Sequence, residues 1–184
     1  MLTTLQSLKD YLKITTSDDD SLLTSAIEQA SSFITDYCNR EFEAQDYQKR
    51  MDWHGEDEFI LDHFPVNSLS SFQYNTGTLG NPIWEDYDTD SYMLDNEKGI
   101  ISLTCPIHRG IKNIKVEYNA GYIVIPADIQ RACIRIASYI YNWAGRKTGV
   151  KKEQVDGASI EYDTTGEGIE KEIYMILNKY KKYV

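Results

Sequence analysis

Tyr47-Gln48-Lys49-Arg50-Met51-Asp52-Trp53 is the stretch where the chain changes its period. Tyr47, Lys49, Met51 and Trp53 alternate with Gln48, Arg50 and Asp52, the two-residue repeat of an extended strand whose two faces differ. Short runs of the same kind follow at 59–61, 69–74, 92–94, 100–103 and 114–118. Gly55, Pro65, Gly77, Gly80, Pro82, Gly99 and Gly110 punctuate them, as turns that need positive φ or lack a donor require. Asp95-Asn96-Glu97-Lys98-Gly99 reads as a hairpin connection between two of the runs. The middle of the chain is therefore predicted to be antiparallel β structure.

On both sides of it the period is helical. Thr3 or Thr4 can cap a short helix carrying Leu5, Leu8 and Leu12, which Thr15-Thr16-Ser17 ends. Leu23, Ile27, Ala30, Ile34 and Tyr37 then mark one face of a helix of about five turns. Asp18-Asp19-Asp20 suits its first turn, where carboxylates meet free backbone N–H groups and the positive end of the dipole. Spaced calcium ligands, a central glycine and a terminal glutamate are all missing from that triplet. After the β region, Pro126 opens a helix whose buried stripe is predicted as Ile129, Ala132 or Cys133, Ile136, Ile140 and Trp143, with Gly145 as its stop. Arg146 to about Gly168 lacks apolar periodicity and reads as a mobile loop. Ile169, Ile173, Ile176 and Tyr180 mark a last helix. The expected fold class is α+β: a helical bundle from the N- and C-terminal segments with an inserted antiparallel β region. We expect one domain over 1–184, with a helical core at 1–45 and 126–184 and the β insertion at 46–125.

The charge balance limits function. Nineteen Lys and Arg against 29 Asp and Glu give a net charge of −10. That is the wrong sign for a protein whose affinity comes from neutralising phosphates. The acid is concentrated in residues 46–97, which carry 12 acidic and 2 basic side chains. No stretch approaches the about 20 apolar residues of a membrane span. No secretory signal is visible at the N-terminus, so a cytoplasmic origin is expected. Cys38, Cys105 and Cys133 form no Cys-x-x-Cys pair and are read as three reduced, buried thiols.

Chemistry finds little support. His54, Glu56, Asp57, Glu58, Asp62 and His63 are the densest potential ligand set, but alternation along a strand pair sends half of them away from any common centre. They read as the acidic decoration of a solvated hairpin. His108 is isolated, no nucleophile–base pair is evident, and Gly166-Glu167-Gly168 lacks the lysine and the strand-to-helix context of a phosphate loop. No catalytic residue, metal or cofactor is expected, and the chain reads as a non-enzyme. Fourteen tyrosines offer broad contact surfaces with polar tips, a composition suited to protein interfaces.

The order of segments resembles the head–tail connector proteins, or neck adaptors, of tailed phages. Leu5-x-x-Leu8-Lys9-x-Tyr11-Leu12, Asp18-Asp19 with Leu22-Leu23, Ala30-Ser31-x-x-Ile34 and Tyr37-Cys38-x-Arg40-x-Phe42 carry the first half of the likeness. Phe64-Pro65-Val66, Gly99-Ile100-Ile101 and 116–122 leading to Pro126-Ala127-Asp128-Ile129 carry the rest, up to about Trp143. The resemblance implies a structural protein of the virion neck, present in the host cytoplasm during assembly. It implies a closed ring of about twelve copies below the portal, extending the DNA channel toward a stopper or tail completion protein. DNA would pass without specific binding, and no membrane is involved. It also points to the C-terminus, Lys179, Tyr180, Lys181, Lys182, Tyr183 and Val184, as the portal contact, ordering as it binds. The β region is larger than in the shortest members. The competing readings are a small prophage or host protein-binding module and a metal-dependent hydrolase built on the His54 to His63 segment.

Overall fold

The computed structural model describes residues 1–144, 152–155, 158–161 and 171–182. The chain forms two compact units, Met1–Arg40 with Ile125–Val184, and Glu41–Val124.

The first unit is helical. α1 (Leu5–Leu12) starts at Thr4, whose side chain accepts a hydrogen bond from the Ser7 N–H at 3.1 Å, and ends at Lys13 in the left-handed region. α2 (Asp20–Cys38) buries Leu23, Ile27, Ala30 and Ile34 on the predicted face, with Tyr37 half-buried. The aspartate triplet acts differently from the expectation. Asp19 stands at the N-cap without a side-chain capping bond; it accepts instead from the Tyr141 hydroxyl at 2.7 Å. Asp20 pairs with Lys9 of α1 at 2.6 Å. The carboxylates at this helix start therefore tie neighbouring helices to it.

α3 (Ala127–Ala144) follows Pro126, whose carbonyl accepts from the Gln130 N–H. Proline thus sits one place before the helix, where its missing donor costs nothing. Ile129, Ala132, Cys133, Ile136 and Ala137 are buried, whereas Ile140 is half-buried and Trp143 is 46% exposed. The predicted stripe thus fades in its last two turns. There Trp143 stacks on Tyr139 rather than entering the core. Gly145 lies outside the described residues. So does most of the expected 146–168 loop, but two strands within it, β8 (Lys152–Val155) and β9 (Ala158–Glu161), form an antiparallel hairpin. α4 (Lys171–Asn178) buries Ile173, Ile176 and Leu177; Ile169 is outside the described residues.

The second unit is two sheets. β1 (Gln45–Trp53), β7 (Gly110–Ala120), β3 (Val66–Asn75) and β4 (Trp84–Asp86) stand in that order in an antiparallel sheet, while β2 (Glu58–Ile60), β6 (Ile100–Leu103) and β5 (Tyr92–Asp95) form a smaller one. β4, with Thr76 to Ile83 as its turn from β3, carries no clear alternation in the sequence. The Asp95 to Gly99 turn closes β5 onto β6, with the Gly99 N–H on the Asp95 carbonyl at 2.8 Å and φ +67° at Gly99. Trp53, Phe59, Phe72, Ile101, Val116 and Tyr118 belong to one core fed by both sheets. Gly121 shows the local demand on sequence: at φ +112° it lies so close to the Glu43 carbonyl that a Cβ would collide with it.

Candidate docking surfaces

The C-terminal segment was the site expected from sequence, and the structure places four of its six residues. Tyr183 and Val184 lie outside the described residues. Lys179 is exposed, while Tyr180, Lys181 and Lys182 are half-buried against their own chain. Tyr180 donates its hydroxyl proton to Asp128 Oδ1 at 2.8 Å, and the Lys182 N–H donates to the Cys38 carbonyl at 2.8 Å. Lys181 Nζ stands 4.9 Å over the Tyr37 ring. The helix before them is latched too: Tyr37 donates to Asn178 Oδ1, Cys38 Sγ to the Leu177 carbonyl, and Arg135 Nη1 to Glu172 Oε2 at 2.8 Å. Arg135 holds the Glu172 carboxyl below its ordinary range, first by that hydrogen bond and then by its charge. Tyr180, Lys181 and Lys182 thus lie against their own chain.

This docking gathers Arg40, Lys179, Lys181 and Lys182 around the C-terminal ends of α2 and α4. Cations suit that place because unpaired carbonyls make it the negative end of the helix. Cys38 lies beneath. Burial pushes its thiol up to about 11, partly offset by Arg40 and Lys181. A thiol held protonated in this way is a packing group rather than a nucleophile. Cys133 is buried as expected, but Cys105 is exposed, in the Thr104 to Arg109 connection where no strand or helix covers it.

In the second unit the acidic residues do not converge. β1 and β2 are not the two arms of a hairpin: β1 pairs with β7, and β2 with β6. Within the set, His54, Glu56 and Asp57 lie in the connection from β1 to β2, Glu58 in β2, and Asp62 and His63 just beyond it. His63 stacks on Tyr47 at 3.7 Å with the rings 5° apart, and Asp62 pairs with Lys49 at 2.9 Å. Among the described residues no three His, Cys, Asp or Glu side chains come together as metal ligands. Sequence reasoning missed the apolar surface of this unit. Leu79 and Ile83 are exposed at the β3–β4 turn, and Ile60 and Met93 on the outer face of the small sheet. No periodic signal marks Leu79 or Ile83, because turn residues bury no face. No helix among the described residues is long and apolar enough to cross a membrane.

Solved structures share this fold. The neck of an empty gene transfer agent particle, computed with C6 symmetry, contains a chain that matches with a TM-score of 0.63 at 14% identity, over 100% of this chain and 91% of that one. A chain in the neck of the native particle, computed with C12 symmetry, matches with a TM-score of 0.58 at 15% identity, over 98% and 88%. A chain of the native gene transfer agent virion matches with a TM-score of 0.61 at 14% identity, over 100% and 91%. No curated protein matches the chain significantly. The family model described as Head completion protein matches residues 1–183, and the chain belongs to that family.

Proposed function

We propose that the protein is a head–tail connector of a phage-like particle, working in the virion neck as one copy of a ring that joins the DNA-filled head to the tail. The observation that carries this reading is the family match over residues 1–183. The shared fold with chains of necks computed with C6 and C12 symmetry supports a ring of about twelve copies. The role is one of shape and contact rather than of catalysis. Portal protein on the head side and a stopper or tail completion protein on the tail side are its partners, with the basic group at Lys179, Lys181 and Lys182 meeting the portal. Whatever lies beyond Lys182, through Tyr183 and Val184, extends that contact. Twelve acidic residues within 46–97 discourage a grip on DNA, since each phosphate neutralised by Lys or Arg would add affinity.

The test is complementation. Purified protein added to DNA-filled heads that lack it should bind the portal vertex as a ring visible by electron microscopy and restore tail joining. A protein that leaves such heads unchanged refutes the connector role. Lys179→Ala with Lys181→Ala should keep the fold and weaken vertex binding at least several-fold; undiminished binding removes these lysines from the portal contact.

A further inference from the structure

We propose that the outer face of the small sheet of one copy receives the β3–β4 turn of the neighbouring copy, with Leu79 and Ile83 seated on Ile60, Ile100 and Met93, so that this contact links successive copies of the ring. The pairing rests on the connector reading above. The two sheets of the second unit treat their outer faces differently. In the large sheet the rows Gln48-Glu117-Ser71 and Arg50-Lys115-Gln73 are polar across all three strands, as the solvent side of an antiparallel sheet should be. The small sheet departs from that rule. Phe59, Ile101 and Leu94 make one row and face the core, while the rows on either side of it, Ile60-Ile100-Asp95 and Glu58-Ser102-Met93, point the other way. Ile60 and Met93 are each more than half exposed, with Ile100 half-buried between them. Ile60 stands directly across from Ile100 and Met93 diagonally from it, so the three side chains are neighbours. A sheet apolar on both faces marks a contact surface.

The acid around this patch limits what can cover it. Glu58 and Asp95 stand at opposite corners; Asp95 pairs with Lys98 at 3.7 Å, and beside Ile60 the Asp62 carboxylate pairs with Lys49 at 2.9 Å. Every copy carries a net charge of −10, so an occupant bringing further carboxylates from another copy would be repelled. Contact between copies therefore needs a stretch without charge. Phe64 to Trp84 holds no Asp, Glu, Lys or Arg, although 26% of the chain is charged. The β3–β4 turn lies inside that stretch, and its tip is apolar: Leu79 is 66% and Ile83 55% exposed, with Pro82 exposed between them. The first acid after it, Glu85, accepts from the Tyr74 and Thr76 hydroxyls at 3.1 and 3.0 Å. The turn is also held in shape. Asn75 Oδ1 accepts from the Gly77 and Ile83 N–H groups at 2.9 and 2.8 Å, the Thr76 N–H donates to the Ile83 carbonyl at 2.8 Å, and Thr78 and Asn81 exchange backbone bonds at 3.1 Å. Gly77 permits this closure, since a Cβ there would strike the Asn81 carbonyl. A tip already ordered loses little freedom on docking. A turn on one copy and a sheet face on the next are different patches, which is the heterologous contact that closes a ring.

Leu79 and Met93 are exposed, so charges placed there should leave thermal unfolding unchanged and act on the contact alone. Leu79→Glu should lower occupancy of the portal vertex on DNA-filled heads about ten-fold or more, and Met93→Lys added to the same chain should restore most of it. Normal occupancy with Leu79→Glu overturns the proposal. Disulfide trapping tests the proximity directly: a Cys105→Ser chain carrying Leu79→Cys and Met93→Cys, assembled on heads and mildly oxidised, should give linked series of copies, about ten-fold or more above the same protein free in solution. Assembled necks without such links overturn the proposal even where Leu79→Glu weakens binding, because the turn then has another partner. A disulfide that closes within one copy overturns it as well. Heads that refuse the unaltered protein would defeat the connector reading itself, and this proposal with it.

Discussion

The two units solve the problem of a core in opposite ways. Among the described residues, the helical unit buries Leu, Ile, Ala and Cys and no aromatic ring below 9% exposure, with Ala26, Ala30, Ala132 and Cys133 fully enclosed or nearly so. The β unit buries Trp53, Phe59, Phe72 and Tyr118, with Phe59 and Phe72 edge to face at 5.8 Å and Tyr87 4.8 Å from Phe72. The difference is geometric. Helix axes approach to about 8–10 Å with small residues at the contact, whereas sheets about 10 Å apart need large side chains to fill the gap. Small residues thus close the first unit, while rings fill the space between the sheets of the second.

Core truncations should separate the units most strongly. Phe72→Ala should cost about 3–5 kcal/mol and Ile27→Ala about 2–5 kcal/mol, since each leaves a cavity its neighbours fill only in part. Hydrogen exchange should show the first loosening β3 and β7 and the second loosening α2 and α3; equal loss across both units after either change would break the distinction. Gly121→Ala comes next. Its Cβ would meet the Glu43 carbonyl at φ +112°, so about 1–3 kcal/mol of strain should appear in the β unit by denaturant unfolding. Tyr180→Phe removes the bond to Asp128 and should cost about 1 kcal/mol in the helical unit. A loss beyond that would mean the C-terminal segment anchors more than itself.

Titration sharpens the contrast further. Burial raises Cys38 from 9.0 to about 11 and Tyr118 from 10.0 to about 12. A raised folded value favours the folded state below the ordinary value, and the contribution fades as pH climbs to the folded one. Alkaline unfolding should therefore weaken the helical unit from about pH 9 and the β unit from about pH 10, read by exchange or by near-ultraviolet dichroism. The smallest effect is chemical. At neutral pH a thiol reagent should label Cys105 promptly and leave Cys38 and Cys133 untouched until the helices open.

How much was legible follows from the range over which each signal acts. A cap, a turn or a period is written within a few residues, so Thr4, the Asp95 to Gly99 turn and the switch at Tyr47 could be read directly. A connector carries no such local mark at its docking surfaces. Lys179 to Lys182 were expected there through resemblance alone, and that Tyr180, Lys181 and Lys182 are tied to Asp128, Tyr37 and Cys38 depends on groups between 52 and 144 residues away.

Sequence by itself determined the α+β class, the helical faces at Leu23 to Ile34 and Ile129 to Ile136, and the alternation of the main strands, because burial on one side imposes a period on the residues themselves. Tertiary structure alone decided which strand meets which, that Asp19 and Asp20 bind other helices, and that Trp143 and Cys105 stay exposed. Pairing β1 with β7 joins residues more than fifty positions apart, and nothing local to either strand distinguishes that partner from another of equal pattern. The choice is made where side chains from both sheets close over one core, a property of the assembled fold.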